Sequence, residues 1–144
     1  METIVAGSRA PNIILKNADS TLFELNSLET QCKYVLILFW SAGCSHCVET
    51  INTLYPWYQQ TDVQQKVRIV AISLDETEAE VEAWKKKIAE MNGWKNLRAP
   101  EGIRSKVAGD YYVLATPVMV LLNAKTKEVV ALPNTLKELI KGMQ

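Results

Sequence analysis

The sequence predicts a single α/β domain with a mixed central β-sheet flanked by helices. Two apolar runs carry that expectation, residues 34–40 (Tyr-Val-Leu-Ile-Leu-Phe-Trp) and 67–74 (Val-Arg-Ile-Val-Ala-Ile-Ser-Leu). Segments so uniformly apolar, rich in β-branched and aromatic residues, suit strands covered on both faces of a sheet. The third observation is what alternates with them: helical periodicity after each run, then a hairpin pattern and a last helix. Residues 1–8 read as a lead-in and residues 9–144 as the domain, with no internal repeat or Pro/Gly-rich linker to divide it.

Between the two strands, Val48, Ile51, Leu54, Tyr55 and Tyr58 recur at helical spacing, and Pro56 should kink or end that helix. A second helix is expected over residues 77–91, with Val81, Trp84, Ile88 and Met91 on one face and Thr77 with Glu80 as its capping box. Lys85, Lys86 and Lys87 fall toward its C-terminal half, where cations suit the helix dipole, and read as a solvated face. A short helix is expected near residues 102–108. Residues 118–122 and 128–132 then read as an antiparallel hairpin turning at 123–127. The last helix opens with Thr135 and Glu138 as a second capping box and presents Leu136, Leu139, Ile140 and Met143.

Composition removes several function classes. The chain has 144 residues and 16 basic against 16 acidic side chains, so it offers no electrostatic footprint for a phosphate backbone, and no nucleic-acid partner is expected. The longest unbroken apolar run, residues 34–40, is far below the ~18 residues a membrane-spanning helix needs. The first eight residues lack the basic and apolar regions of a secretion signal, a feature equally compatible with a cytoplasmic protein and with an exported one already trimmed. Three cysteines, Cys32, Cys44 and Cys47, are too few for a disulfide-stapled fold and point to chemistry instead.

The informative segment is Phe39-Trp40-Ser41-Ala42-Gly43-Cys44-Ser45-His46-Cys47, where a buried strand ends and a helix begins. A thiol at a helix N-terminus faces unpaired backbone N–H groups and the positive end of the dipole, which stabilise its thiolate. Cys44 is therefore the candidate nucleophile. Cys47 lies three residues on, about one turn along the same face, and can reach back to attack a mixed disulfide formed at Cys44, which makes it the candidate resolving thiol. Cys32 precedes the strand, on the order of 25 Å from Cys44 at ~3.3 Å per residue, and reads as a free, buried or half-buried thiol.

Phe39-Trp40 followed by a Cys-x-x-Cys pair at a strand-to-helix junction resembles the thioredoxin superfamily, and Thr116-Pro117, just before the hairpin, resembles its cis-proline loop. The section from 77 to 115, with Ala10-Pro11-Asn12-Ile13-Ile14-Leu15 and Phe23-Glu24-Leu25, is similar to the TlpA-like branch. The likeness spans nearly the whole chain and implies a thioredoxin-like fold and a thiol-disulfide oxidoreductase. The redox centre it implies is a Cys44–Cys47 disulfide with no dissociable cofactor. Thr116 and Pro117 would dock the substrate chain, and Trp40 reads as a packing residue beside the dithiol that forms a wall of the site rather than a chemical participant. The implied partners are protein disulfides or dithiols and an upstream redox protein, for a monomer in the periplasm or cell envelope, with a cytoplasmic setting as the alternative; several relatives of that branch reduce disulfides during cytochrome c maturation.

The chain departs from the family's pattern at several points. Leu38 stands where thioredoxin has a buried acid, Thr50 where many reducing TlpA-like proteins have a Glu, Asn52 where a helix-kinking proline is usual, and Gly43 where an aromatic often precedes the first cysteine. No carboxylate is thus expected to accept the proton of Cys47. His46 occupies the slot between the cysteines that tunes the redox potential, and as a cation and hydrogen-bond donor it favours the Cys44 thiolate and a more oxidising disulfide.

Other uses of Cys-x-x-Cys fare worse. A structural zinc site lacks a second pair of ligands, and covalent haem attachment needs His where Val48 stands. The Pro-x-x-x-Thr-x-x-Cys pattern of thiol peroxidases with the same fold is missing. A thioredoxin-fold binding or metal-delivery module without redox turnover is the alternative, but the only His lies inside the motif, and no metal site is expected.

Overall fold

All seven residues of the 34–40 run are buried, because this strand lies at the centre of a five-stranded sheet with helices on both faces. The computed structural model describes residues 4–144. Its strands are β1 (Ile14–Lys16), β2 (Leu22–Glu24), β3 (Tyr34–Trp40), β4 (Val67–Ser73), β5 (Lys95–Arg98), β6 (Val118–Asn123) and β7 (Val129–Ala131). Its helices are α1 (Ser45–Tyr58), α2 (Thr61–Gln64), α3 (Glu78–Ile88), α4 (Lys106–Asp110) and α5 (Leu136–Gly142). The main sheet has the order β5-β4-β3-β6-β7, with β3, β4 and β5 parallel and β6 antiparallel to both β3 and β7. This is the mixed α/β architecture the sequence implies.

The period of two along β3 divides the core. Val35, Ile37 and Phe39 enter one cluster with Val70 and Ile72 of β4, Val107 and Ala108 of α4, and Tyr111. Leu36, Leu38 and Trp40 enter the other with Ile51 and Leu54 of α1, Trp84 of α3 and Leu139 of α5. The 34–40 run is apolar at every position because both faces are covered.

Three helices bear on the sequence expectations in detail. Pro56 falls within the last turn of α1, which runs on to Tyr58 before it ends. The Thr77–Glu80 capping box is complete on both sides. At α5, Thr135 Oγ1 accepts the Glu138 N–H at 3.1 Å, but the Glu138 carboxylate takes the N–H of Asn134 rather than that of Thr135. Ile140, expected on the inner face of α5, is 38% exposed, since it lies one residue, about 100° of turn, from the fully buried Leu139.

The edges were harder to foresee. β5 carries Lys95, Asn96 and Arg98 around one buried apolar residue, Leu97, and the hydrophobic pattern of an edge strand is correspondingly faint. Of the lead-in, Met1–Thr3 lie outside the described residues, whereas Gly7 N–H donates to Val129 O at 2.8 Å and Val129 N–H to Ser8 O at 2.8 Å, so this stretch is tied to β7. Lys87 is not a free surface charge: its side chain is 14% exposed and its Nζ donates to Asn52 Oδ1 at 2.7 Å, linking α3 to α1.

Candidate active site

The parallel pairing of β3 with β4 ends at Trp40↔Ser73, and the chain then makes a short turn, Ser41–Gly43, before α1. The Cys44 N–H donates to Ser41 O at 3.1 Å and closes this turn. Cys44 is the N-cap of α1, in extended conformation (φ −92°, ψ 107°), and its Sγ accepts the Cys47 backbone N–H at 3.1 Å. The sulfur thus takes the place of the Ser or Asp oxygen that usually satisfies a first-turn N–H. An N–H aimed at Sγ, added to the helix dipole, is an electrostatic setting that favours a thiolate.

Cys44 and Cys47 are joined as a disulfide, with Cα atoms 5.2 Å apart. Their surroundings are unequal. Cys47 is 0% exposed and packs among the apolar residues beneath α1, while Cys44 is half-buried and reachable. Only the Cys44 side of the disulfide reaches the surface.

Opposite the dithiol, the Thr116–Pro117 peptide bond is cis and the Thr116 carbonyl oxygen stands 3.7 Å from Cys44 Sγ. The two residues are 72 positions apart in sequence and meet because the parallel β3 and antiparallel β6 bring the end of one to the start of the other. Pro117 lines an open, largely apolar groove with the exposed Tyr112 and Leu132, and Leu114, three residues before it in sequence, is 90% exposed.

His46, on the first turn of α1, is exposed and lines a shallow groove of mixed polarity with Glu49, Thr50, Leu54, Thr135 and Leu136. Thr50 donates its hydroxyl to His46 O at 3.0 Å. With 0% exposure Trp40 packs with Cys47 in the core beneath the dithiol and offers no wall to a bound chain. Cys32 is free and half-buried, its Sγ 3.3 Å from Gln64 O. Among the described residues no group of three or more His, Cys, Asp or Glu side chains is placed to hold a metal, and no helix is long and apolar enough to cross a membrane.

Sequence reasoning missed Asp75. It lies two residues beyond the end of β4 and is 0% exposed. Its carboxylate accepts from Ser41 Oγ at 2.8 Å, from the Ala42 N–H at 3.1 Å to each oxygen, and from Ser73 Oγ at 2.5 Å. Arg98 of β5 donates to the Asp75 carbonyl at 3.0 Å while lying over the Trp84 ring. An acid just after an apolar strand was the available signal, since such a residue is drawn to the strand ends where neighbouring turns expose N–H groups.

The thioredoxin-like family matches this chain over residues 31–129. The thiol-disulfide oxidoreductase ResA of Bacillus subtilis is 27% identical over 137 residues, covering 95% of this chain and 72% of that protein. The thioredoxin domain of a thiol-disulfide oxidoreductase from Bacteroides vulgatus superposes with a TM-score of 0.78 at 27% identity, over 96% of this chain and 95% of the other. A thiol:disulfide interchange protein from a Bacteroides species superposes with a TM-score of 0.73 at 25% identity, over 97% and 88% of the two chains.

Proposed function

The chain belongs to the thioredoxin-like family, and from that premise we propose that Cys44 and Cys47 exchange electrons with protein disulfides, Cys44 as nucleophile and Cys47 as resolving thiol. The protein is a thiol-disulfide oxidoreductase whose redox centre is its own cysteine pair. The observation that carries the division of roles is the unequal burial of two linked sulfurs: Cys44 is open at the N-cap of α1 and Cys47 is sealed beneath it.

In the reducing direction, the Cys44 thiolate attacks one sulfur of a substrate disulfide; that S–S bond breaks, one substrate thiolate leaves, and a mixed disulfide forms. Cys47, as its thiolate, then attacks Cys44 Sγ, releasing the second substrate thiolate and closing the Cys44–Cys47 bond. Two electrons pass to the substrate, and an upstream dithiol protein returns them. The oxidising direction runs the same steps backward. The Thr116 carbonyl, at 3.7 Å from Cys44 Sγ, pairs with the extended substrate chain by strand addition, and Pro117 with the exposed Leu114 receives its apolar side chains. His46, exposed on the first turn, tunes the potential by favouring the thiolate. The envelope outside the cytoplasm is the compartment in which such a pair meets protein disulfides.

Cys47→Ser with a disulfide-containing protein tests the roles. A mixed disulfide through Cys44 is expected to accumulate, visible as a mass adduct lost on reduction, while Cys44→Ser forms none. Normal turnover by Cys47→Ser overturns the assignment.

A further inference from the structure

Asp75 does no chemistry in the exchange just described, yet it is the most densely hydrogen-bonded side chain near the dithiol. A fully buried carboxylate is costly unless donors surround it, and here three different groups supply them. Two of the three, Ser41 Oγ and Ala42 N–H, belong to the turn that delivers Cys44 to the helix N-terminus. The third, Ser73 Oγ, accepts the Asp75 N–H at 3.0 Å in return, so the carboxylate is itself fixed to the end of β4. Arg98 secures the Asp75 carbonyl from the neighbouring strand.

We propose that Asp75 is a positioning residue for Cys44: by clamping Ser41 and Ala42 it holds the β3–α1 turn so that Cys44 Sγ sits on the Cys47 N–H. The chain of contacts is continuous. Asp75 holds Ser41 and Ala42; Ser41 O holds the Cys44 N–H at 3.1 Å; Cys44 Sγ then meets the Cys47 N–H at 3.1 Å. The last contact stabilises the thiolate of the reduced protein, because the N–H bond and the helix dipole act on a full negative charge only after the disulfide opens. Loosening the turn therefore weakens the reduced form more than the oxidised form. Ala42 also packs against the apolar cluster under α1, whereas Gly43 faces open space, with no neighbour within 4 Å of where a side chain would begin.

A purely electrostatic role predicts the opposite sign. A buried negative charge near a thiolate disfavours it, so removing the charge while keeping the shape would make the disulfide more oxidising. The direction of the change separates the two.

The test, which rests on Cys44 and Cys47 forming the redox couple, is the equilibrium of that couple with glutathione in wild type, Asp75→Ala, Asp75→Asn and Ser41→Ala, together with the rate of Cys44 alkylation in the reduced proteins. Asp75→Ala is expected to shift the equilibrium toward the disulfide form about tenfold, ~30 mV more reducing for a two-electron couple, and to slow alkylation of Cys44. Asp75→Asn keeps one oxygen for Ala42 and Ser41 and should fall between Asp75→Ala and wild type. Ser41→Ala removes one strand of the clamp and should move the same way by a smaller factor. If Asp75→Ala does not fold, the Ser41→Ala and Asp75→Asn results decide. An unchanged equilibrium in variants that only melt earlier overturns the proposal, as does a more oxidising Asp75→Asn. Failure of the wild-type pair to form a reversible disulfide overturns instead the oxidoreductase assignment of the two cysteines.

Discussion

The Thr116 carbonyl oxygen stands 3.7 Å from the Sγ of Cys44, so a substrate cysteine bonded to Cys44 brings its own backbone beside a free acceptor. A peptide running along this loop can donate an N–H to that carbonyl, one link of a strand addition worth about 1 kcal/mol. A disulfide-linked peptide N-methylated at the amide next to its cysteine should therefore react about fivefold to tenfold more slowly than its unmodified twin, with the same peptide methylated three residues away as control. Equal rates for all three peptides would remove Thr116 from the docking surface.

His46 sits on the first turn of α1, where backbone N–H groups have no intrahelical partner, so proline is tolerated there without breaking the helix. His46→Pro removes the imidazole two residues along the chain from Cys44. The expected outcome is a more reducing couple, with the glutathione equilibrium moved by about tenfold, ~30 mV. An unchanged equilibrium would make His46 an ordinary surface residue.

The sequence reports the centre of this molecule better than its margins. The 34–40 run and the 67–74 run are legible because both faces of β3 and β4 are covered, which leaves no polar position in the first and only Arg68 and Ser73 in the second. β5 and α2 were missed because one has a single buried apolar residue and the other is one turn of four residues. The two cysteines announce themselves by spacing and by their place after a strand. Asp75 does not, since its meaning depends on the Trp40↔Ser73 register that sets the β4 end beside the Ser41 turn. Trp40 ends β3, and strand alternation puts it on the face that packs into the cluster under α1, beside Cys47.

Stability should fall in acid partly through Glu80. Its Oε1 accepts the N–H groups of Thr77 and Glu76, each at 2.9 Å, and these bonds, Thr77 first, hold the carboxyl below its ordinary 4.5. Because the folded value is depressed, this contribution is complete above 4.5 and disappears as pH drops through the lower folded value. Glu80→Gln keeps an acceptor but cannot titrate. Its melting temperature is expected to decline less steeply than that of wild type between about pH 5 and pH 3, with the remaining slope carried in part by Glu24, held down by Asn12 and Ser27. Parallel declines would show that the capping box does not couple to protons.

At the alkaline end the relevant group is Tyr111. Its ring is 3% exposed and packs 5.4 Å from that of Phe39, and its hydroxyl donates to Pro11 O at 2.6 Å, joining the end of α4 to the segment before β1. Burial, and then the nearby Asp110 charge, push the phenol well above its ordinary 10. With the folded value raised, the stability it contributes is intact below pH 10 and is lost as pH climbs beyond it, where the unfolded chain releases the proton and the folded one does not. Tyr111→Phe preserves the ring but leaves the Pro11 carbonyl without its donor, which should cost about 1–2 kcal/mol in urea unfolding at neutral pH. The same variant should lose less stability than wild type on going from about pH 9 to pH 11, so the two unfolding curves approach each other as pH rises. If Tyr111→Phe is destabilised equally at both pH values, the phenol does not govern alkaline unfolding, and the hydrogen bond to Pro11 is its whole contribution.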